Sequence, residues 1–152
     1  MPRRLPLRPQ RKQETRVVRV SHENNFQLLK GQTIVRAMHS KSEDAIGFEL
    51  ASEQIMAWTP EGDCCAYAYF QHVNNPDALR GLVRSVDVGE TDYDGGERGE
   101  GDHTDTWITT ISTGHGSCQI EMRCEHNGYY GGWAQLVTHM HHVDDWQPLV
   151  EF

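Results

Sequence analysis

The chain has 152 residues, 37% of them hydrophobic, and a formal net charge of −8 at neutral pH. This length fits one domain with its own core, and no apolar run approaches the ~20 residues that a membrane-spanning helix needs. The basic N-terminus is not followed by the apolar stretch of a secretory signal, so we expect a location inside the cell.

Charge divides the chain into two parts. Residues 1–19 contain seven basic side chains and one acid, whereas residues 20–152 contain seven basic side chains and 21 acids. We therefore separate a basic, Pro/Arg-rich arm (1–19) from an acidic β domain (20–152). Three prolines among the first nine residues disfavour helix and sheet, so the arm is expected to be extended. Its candidate binding side chains are Arg3, Arg4, Arg8, Arg11, Lys12, Arg16 and Arg19.

Beyond the arm, alternating apolar residues predict one strand after another. The predicted strands cover 15–20, 33–39, 45–51, 54–59, 66–73, 82–88, 107–112, 119–125 and 133–140. Short helical segments are predicted over 22–31, ended by Gly31, and over 75–79. Residues 60–63 predict a turn, and the acidic, glycine-rich residues 89–105 predict a solvated loop.

One tight hairpin is predicted late in the chain. Asn127-Gly128 is a strong hairpin signal because both central residues of such a turn adopt positive φ. This turn would pair strand 119–125 with strand 133–140. One extra residue at Gly131-Gly132 is needed to bring the apolar faces of the two strands together, so we predict a β-bulge at these glycines.

Together these elements predict a mainly β fold. Strands joined by short turns, with only scattered helical segments, are typical of an antiparallel meander. We expect the meander to close into a small barrel or sandwich, with one or two short helices and an extended N-terminal arm.

Histidines near the C-terminus are weak candidate metal ligands. His139 and His141 would share one face of a strand and could bind a metal ion together, with Asp144, His126 or His115 as a third ligand. No metalloprotein spacing such as His-Glu-x-x-His is present, so a solvated strand end is the preferred interpretation. We expect no metal and no other cofactor.

The cysteines are the other candidate reactive groups. Cys64 and Cys65 follow a Gly-Asp turn that could expose a nucleophile, but no oriented histidine is identifiable and the chain lacks a Gly-x-Ser-x-Gly elbow. Cys118 and Cys124 lie too far apart along one strand to share a metal ion, and Cys124 is expected to fill the core. All four are expected to be reduced thiols, and we expect no catalysis.

Several segments resemble a small β-rich domain family of unknown function that occurs in bacteriophages and bacteria. The most specific are Asp63-Cys64-Cys65 and Asn127-Gly128-Tyr129-Tyr130, and residues 75–81, Trp107-Ile108 and 120–123 match as well. The arm and the acidic loop are additions to the family pattern. The resemblance implies a phage or prophage origin and a β-rich fold, and it implies no activity.

We therefore expect a non-catalytic, phage-encoded protein that binds a macromolecule through its arm, in a virion or its assembly. The partner is expected to be a protein or a second copy of this chain; nucleic acid is possible, and no membrane contact is expected. The alternatives are a host-directed inhibitor that uses the acidic body, a metal- or thiol-dependent enzyme, and a merely solubilising tail. The expected location is the host cytoplasm or the virion.

Overall fold

The computed structural model describes residues 17–19, 26–63, 65–90, 94–95, 103–126, 131–138 and 145–152. These parts of the chain contain eleven strands and two single turns of 3-10 helix, Gln27–Leu29 and Pro76–Ala78. The strands are β1 (Val17–Arg19), β2 (Thr33–Ser40), β3 (Ala45–Leu50), β4 (Ile55–Gly62), β5 (Tyr67–Asn74), β6 (Gly81–Glu90), β7 (Asp94–Gly95), β8 (His103–Thr113), β9 (Gly116–His126), β10 (Gly132–Thr138) and β11 (Gln147–Pro148).

The strands form two antiparallel halves of one bent sheet. The first half, sheet A, has the order β1-β10-β4-β3-β2, and the second, sheet B, has the order β6-β8-β9-β5. Strand β11 pairs with β2, and β7 pairs with β8. The halves are joined where β2 pairs with β6 at Thr33–Leu82 and Ile34–Gly81.

One hydrophobic core lies between the two halves. It combines side chains of sheet A, such as Phe48 and Trp58, with side chains of sheet B, such as Ile111 and Ile120. Phe26 lies at its centre, with its ring centroid 4.8 Å from that of Trp58. The predicted mainly β, antiparallel fold is thus confirmed; the sheet is not closed into a barrel, and its arrangement is that of a sandwich.

Local alternation placed the core faces of the central strands correctly. Ile46, Phe48 and Leu50, the alternate apolar residues of the predicted strand 45–51, are buried in β3. So are the alternate residues of β9, which are Cys118, Ile120, Met122, Cys124 and His126. The alternation succeeds here because one face of each strand packs against the opposite half of the sheet.

The predicted hairpin between strands 119–125 and 133–140 is wrong. Strand β9 pairs with β8 and β5, whereas β10 pairs with β4 and β1. The predicted bulge at Gly131-Gly132 is also wrong, because the β10–β4 ladder runs regularly from Gly132–Gly62 onward. Asn127 and Gly128 themselves lie outside the described residues. The chain crosses from sheet B to sheet A between β9 and β10.

Three other predicted elements differ from the structure. Residues 103–105, predicted as loop, begin β8 because they pair with β9 from His103–His126 onward. Pro60, predicted in a turn, lies within β4. Proline has no backbone N–H to donate, and it is tolerated here because the ladder between β4 and β3 ends at Trp58. The helix predicted over 22–31 is one 3-10 turn at Gln27–Leu29, and residues 22–25 lie outside the described parts. Among the described residues, no helix is long and apolar enough to span a membrane.

The end of the predicted arm belongs to the sheet. Val17, Val18 and Arg19 pair with Val137, Leu136 and Gln135 of β10. Strand β1 is therefore the outer strand of sheet A in the described part of the chain. Residues 1–16, which hold six of the seven basic side chains of the arm, lie outside the described residues.

The C-terminal residues connect the two halves a second time. Trp146 packs on Gly47 of β3, where an added Cβ would lie 2.7 Å from the indole ring. Strand β11 then pairs with β2, and Leu149 is buried. Phe152 exchanges backbone hydrogen bonds of 3.0 and 3.3 Å with Val73 of β5. We call residues 145–152 the C-terminal strap.

Candidate functional site

A buried polar cluster lies where β8 begins and β9 ends. His103 and His126 are directly opposite each other and are 0% and 5% exposed. Their ring centroids are 5.8 Å apart. Nε2 of His126 lies 2.7 Å from a carboxylate oxygen of Asp105, which faces Cys124 across the ladder.

The His126–Asp105 contact can serve one of two chemical roles. A carboxylate that accepts a hydrogen bond from one imidazole nitrogen fixes the orientation and the tautomer of the ring. The contact fits an Nε2–H of His126 that donates to Asp105, a tautomer that we assign from this geometry. Such a pair can orient a general base, or it can simply satisfy two buried polar groups.

Directly beside this cluster, Asp63 and Gly131 hold two segments together. The N–H of Asp63 donates to the carbonyl of Gly131 at 2.9 Å. The N–H of Gly131 donates in return to the Asp63 carboxylate at 3.2 Å. Next in the chain, Gly132 packs so closely on Cys124 that an added Cβ would lie 2.8 Å from Sγ. Asp63, the first residue of one of the two specific sequence motifs, is thus bound to the residue that follows the other motif; Cys64 and residues 127–130 lie outside the described parts.

The cysteines differ in accessibility. Burial, and to a smaller extent Glu151, raises the pKa of Cys118 to about 12. Burial, followed by nearby carboxylates of which Asp105 is the largest, raises that of Cys124 to about 11. Both side chains therefore stay as thiols at neutral pH, and Cys124 fills the core as predicted. Cys65 is exposed and has a φ of 70°, which is uncommon for a residue other than glycine.

A groove of about 520 Å³ separates β5 from the turn between β2 and β3. We call it the tyrosine groove. One wall comes from the β2–β3 region and the other from β5 and β9. The lining residues are His39, Lys41, Asp44, Tyr67, Tyr69, Phe70 and Glu125.

Two tyrosines dominate the β5 wall of this groove. The rings of Tyr67 and Tyr69 have centroids 5.3 Å apart and are inclined by 31°, and Tyr67 is 65% exposed. Arg123 is hydrogen-bonded to Tyr69, whose pKa is raised mainly by burial and then by Glu125. Glu125 lies directly opposite Tyr67 and forms no ion pair with any described residue. The groove thus offers aromatic surface beside an available carboxylate.

A second groove, of about 480 Å³, lies beside the strap on sheet B. Its polar side chains bind one another. His72 lies 3.2 Å from the Phe152 carbonyl and 4.0 Å from a carboxylate oxygen of Glu121, and that carboxylate also pairs with Arg123 at 3.2 Å. These contacts engage its histidine and one of its carboxylates, whereas Glu125 of the tyrosine groove forms no ion pair with a described residue, so the tyrosine groove is the better candidate for a ligand.

The structure separates most of the residues that the sequence suggested as ligands. His115 and His126 lie near opposite ends of β9, and ten residues of strand span about 33 Å, so they cannot share a metal ion. Within the described ranges, no three His, Cys, Asp or Glu side chains are placed to hold one. His139 and His141 lie outside those ranges.

Sequence reasoning missed both the buried cluster and the tyrosine groove. His103 and Asp105 fall in the predicted solvated loop, because the acidic, glycine-rich composition of residues 89–105 is that of a loop. The alternation of Tyr67 and Tyr69 on an aromatic-rich strand was a usable signal. It could not, however, indicate that Lys41 and Asp44 lie across from them.

The fold and these sites define a small, all-β sandwich domain with a buried histidine–carboxylate pair. The chain belongs to the family described as a domain of unknown function, DUF7448, whose model matches residues 27–136. The match covers the core strands from β2 to most of β10 and leaves out the arm and the strap. No curated protein and no solved structure matches the chain.

Proposed function

We propose that this protein is a non-catalytic binding module whose arm, residues 1–19, anchors it to a macromolecular partner. The supporting observation is the pairing of β1 with β10. Because the last residues of the arm are built into sheet A, the six basic side chains before them are tethered directly to a folded domain. A basic segment on an acidic body recruits partners of opposite charge.

The proposed setting is a bacteriophage virion or its assembly, with a protein or a second copy of the chain as partner. The motifs Asp63-Cys64-Cys65 and Asn127-Gly128-Tyr129-Tyr130 support this setting through the resemblance given above. A host-directed inhibitor, whose acidic body occupies a basic site, is the alternative setting. In either case the protein works in the host cytoplasm or in the particle.

Deletion of residues 2–15 tests the proposal and leaves β1 intact. We expect the full-length chain to self-associate in sedimentation velocity and the deletion variant to stay monomeric. The melting temperature should change by no more than about 4 °C, because the sheet keeps its strands. A variant of full length in which Arg3, Arg4, Arg8, Arg11 and Lys12 are replaced by Gln separates the effect of charge from that of length. Self-association that survives the deletion would overturn the proposal.

Nucleic acid as the partner gives a different result in the same set of variants. Mixed-sequence DNA should then be retained on filters by the full-length chain, with a salt slope of about −0.9 per phosphate contact. The Gln variant should lose that retention. No retention at low salt, together with self-association, identifies the partner as protein.

A thiol-dependent enzyme is the second candidate function. It is favoured by the position of Cys65 two residues before Tyr67, which pairs with Glu125 next to His126. The His126–Asp105 pair could orient a base toward a nucleophile at that end of β5. Here the rate of iodoacetamide modification at Cys65 should fall at least tenfold in His126→Gln. An unchanged rate removes this candidate.

Elemental analysis of the purified protein tests the metal alternative at His139 and His141.

A further inference from the structure

The arm contains a proline pattern with a known mode of recognition. Residues 3–11 read Arg-Arg-Leu-Pro-Leu-Arg-Pro-Gln-Arg, so that Pro6 and Pro9 form a Pro-x-x-Pro unit with arginines on both sides. Such units bind in the extended polyproline II conformation to grooves lined by aromatic side chains. Proline stiffening lowers the conformational entropy that is lost when the segment binds.

The tyrosine groove has the matching chemistry. Tyr67 and Tyr69 offer two adjacent rings on which prolines can pack, and Tyr67 is 65% exposed. Glu125 beside them forms no ion pair with any described residue, whereas Asp44 across the groove lies 3.9 Å from His39 Nε2, and the cations close by are Lys41 and Arg123. A guanidinium group stacks on aromatic rings and binds carboxylates through two parallel hydrogen bonds, so arginine suits this groove better than lysine does. Five of the six basic residues in 1–16 are arginine.

The position of β1 bears on which copy supplies the groove. Val17 pairs with Val137, which pairs with Ala57 of β4, so the chain before Val17 leads toward the start of β4 and the β3–β4 turn. The tyrosine groove lies at the β2–β3 turn, which is the opposite end of sheet A. Strands β10, β4 and β3 also lie between β1 and β2. Val17, the first described residue of the arm, thus lies toward the end of sheet A away from the tyrosine groove of the same copy, which favours the groove of a second copy.

We propose that Pro6 and Pro9 of one copy dock on Tyr67 and Tyr69 of a second copy, with a flanking arginine bound to Glu125. This inference rests on the proposed function and deepens it, because it identifies the partner as this chain and the receiving surface as the tyrosine groove. The arm of each copy thereby joins it to the next one.

Site-specific photocrosslinking in the full-length chain tests the docking. The photoreactive amino acid p-benzoylphenylalanine is placed at Lys41 in the groove and, as a control, at Leu82, which is 52% exposed on β6. Mixing ¹⁵N-labelled and unlabelled copies distinguishes links between chains from links within one chain. We expect links between position 41 of one copy and residues 3–11 of another, and none from position 82.

Three variants examine the chemistry of the link. The double variant Pro6→Ala/Pro9→Ala and the single variants Tyr67→Ala and Glu125→Gln should each reduce the yield of links at least fivefold. Glu53→Gln, a neutralised carboxylate on the β3–β4 turn, should leave it unchanged. Circular dichroism and melting temperature confirm that each variant is folded.

The outcomes separate this inference from the proposed function. Links within one chain only, links to other residues, or a chain that stays monomeric at every concentration would overturn the docking. If deletion of residues 2–15 abolishes self-association and yet no link reaches residues 3–11, the groove assignment fails and the function of the arm stands. If self-association survives the deletion, the function of the arm fails first.

Discussion

Gly132 of β10 lies directly against Cys124 of β9, and this contact joins the two halves of the sandwich. A Cβ added at Gly132 would lie 2.8 Å from Sγ and 2.9 Å from Cβ of Cys124, and 3.0 Å from the carbonyl oxygen of Glu61. Backbone lies on one side and a buried core residue on the other, so neither neighbour can move aside easily. No side chain fits at position 132 without a shift of one sheet.

Gly132→Ala should therefore destabilise the domain. Overpacking of a closed core costs typically 1–3 kcal/mol, and we expect the free energy of unfolding in urea to fall by about that amount. Gly89→Ala is the matched control, because Gly89 is also a strand glycine and its added Cβ would meet only one carbonyl oxygen, at 3.8 Å. Equal stability of Gly132→Ala and the natural chain would contradict the close packing described here.

The buried pair His126–Asp105 gives a second prediction. Asp105→Ala removes the acceptor of the 2.7 Å hydrogen bond and leaves a polar atom of His126 at a buried position. An unsatisfied buried group costs about 1–3 kcal/mol, and urea unfolding should show a loss of that size. Asp87→Ala, an exposed acid on β6, should change stability by less than about 0.5 kcal/mol. Similar losses in both variants would mean that the pair contributes nothing specific.

Thiol modification should distinguish the cysteines. Iodoacetamide at pH 8 is expected to modify Cys65 in the native protein and to spare Cys118 and Cys124, whose pKa values of about 12 and about 11 keep them protonated. Peptide mass spectrometry identifies the modified positions. The same reaction in guanidinium chloride should label Cys118 and Cys124 as well, which confirms that burial is the cause. Rapid native labelling of Cys124 would show that the core opens at that end.

The strap should detach in acid. Asp145 accepts hydrogen bonds from the Ser40 hydroxyl at 2.6 Å and from the Ser42 N–H at 3.0 Å. These donors, with Ser40 first, lower the pKa of Asp145 from 3.8 to about 2. A lowered pKa means that the stabilisation is complete above pH 3.8 and is lost as the pH falls toward 2. Amide exchange at Leu149 and Phe152 should accelerate over that range.

A variant separates this titration from general acid unfolding. In Asp145→Asn, the accelerated exchange of Leu149 and Phe152 should already be present at neutral pH, while amides of β9 remain protected. Ser42→Ala, which removes the weaker hydroxyl contact of 2.9 Å, should have an intermediate effect. Strap exchange that follows the exchange of the core at every pH would contradict a separate opening of the strap.

The strands were predictable from the sequence wherever local alternation decides the structure. Residues 119–125 show the period of two because one face of the strand is covered and the other is not. In residues 45–50 the alternation marks the core face, although Ala45 and Gly47 on the other face are buried as well. The choice of partner strand was not predictable: Asn127-Gly128 suggested that β9 pairs with β10, whereas β9 pairs with β8 and β5, and β10 pairs with β4 and β1. Which strands meet depends on contacts between distant residues, and the same limit hid the tyrosine groove, whose walls lie far apart in the chain.

Composition predicts the wrong secondary structure for segments whose polar residues lie in strands. His103 and Asp105 have the composition of a loop in the sequence, and only the pairing with β9 shows that His103 is buried and that the half-buried Asp105 reaches His126. Pro60 likewise suggested a turn, since a single sequence does not show that one side of β4 is open there. The charge division of the chain, in contrast, needed no structure, because net charge is additive over residues.

The place of β10 between β1 and β4 also governs the order in which the molecule can assemble. Val17 finds its partner Val137 only 120 positions later, so the first strand leaves the ribosome long before the strand that holds it. A topology with such a high contact order folds slowly, because the entropy of closing a long loop is lost before the strand pairing that stabilises it can form. Until β10 arrives, the edge of β4 remains open to other nascent chains, and a chaperone that covers it would raise the yield of the native protein.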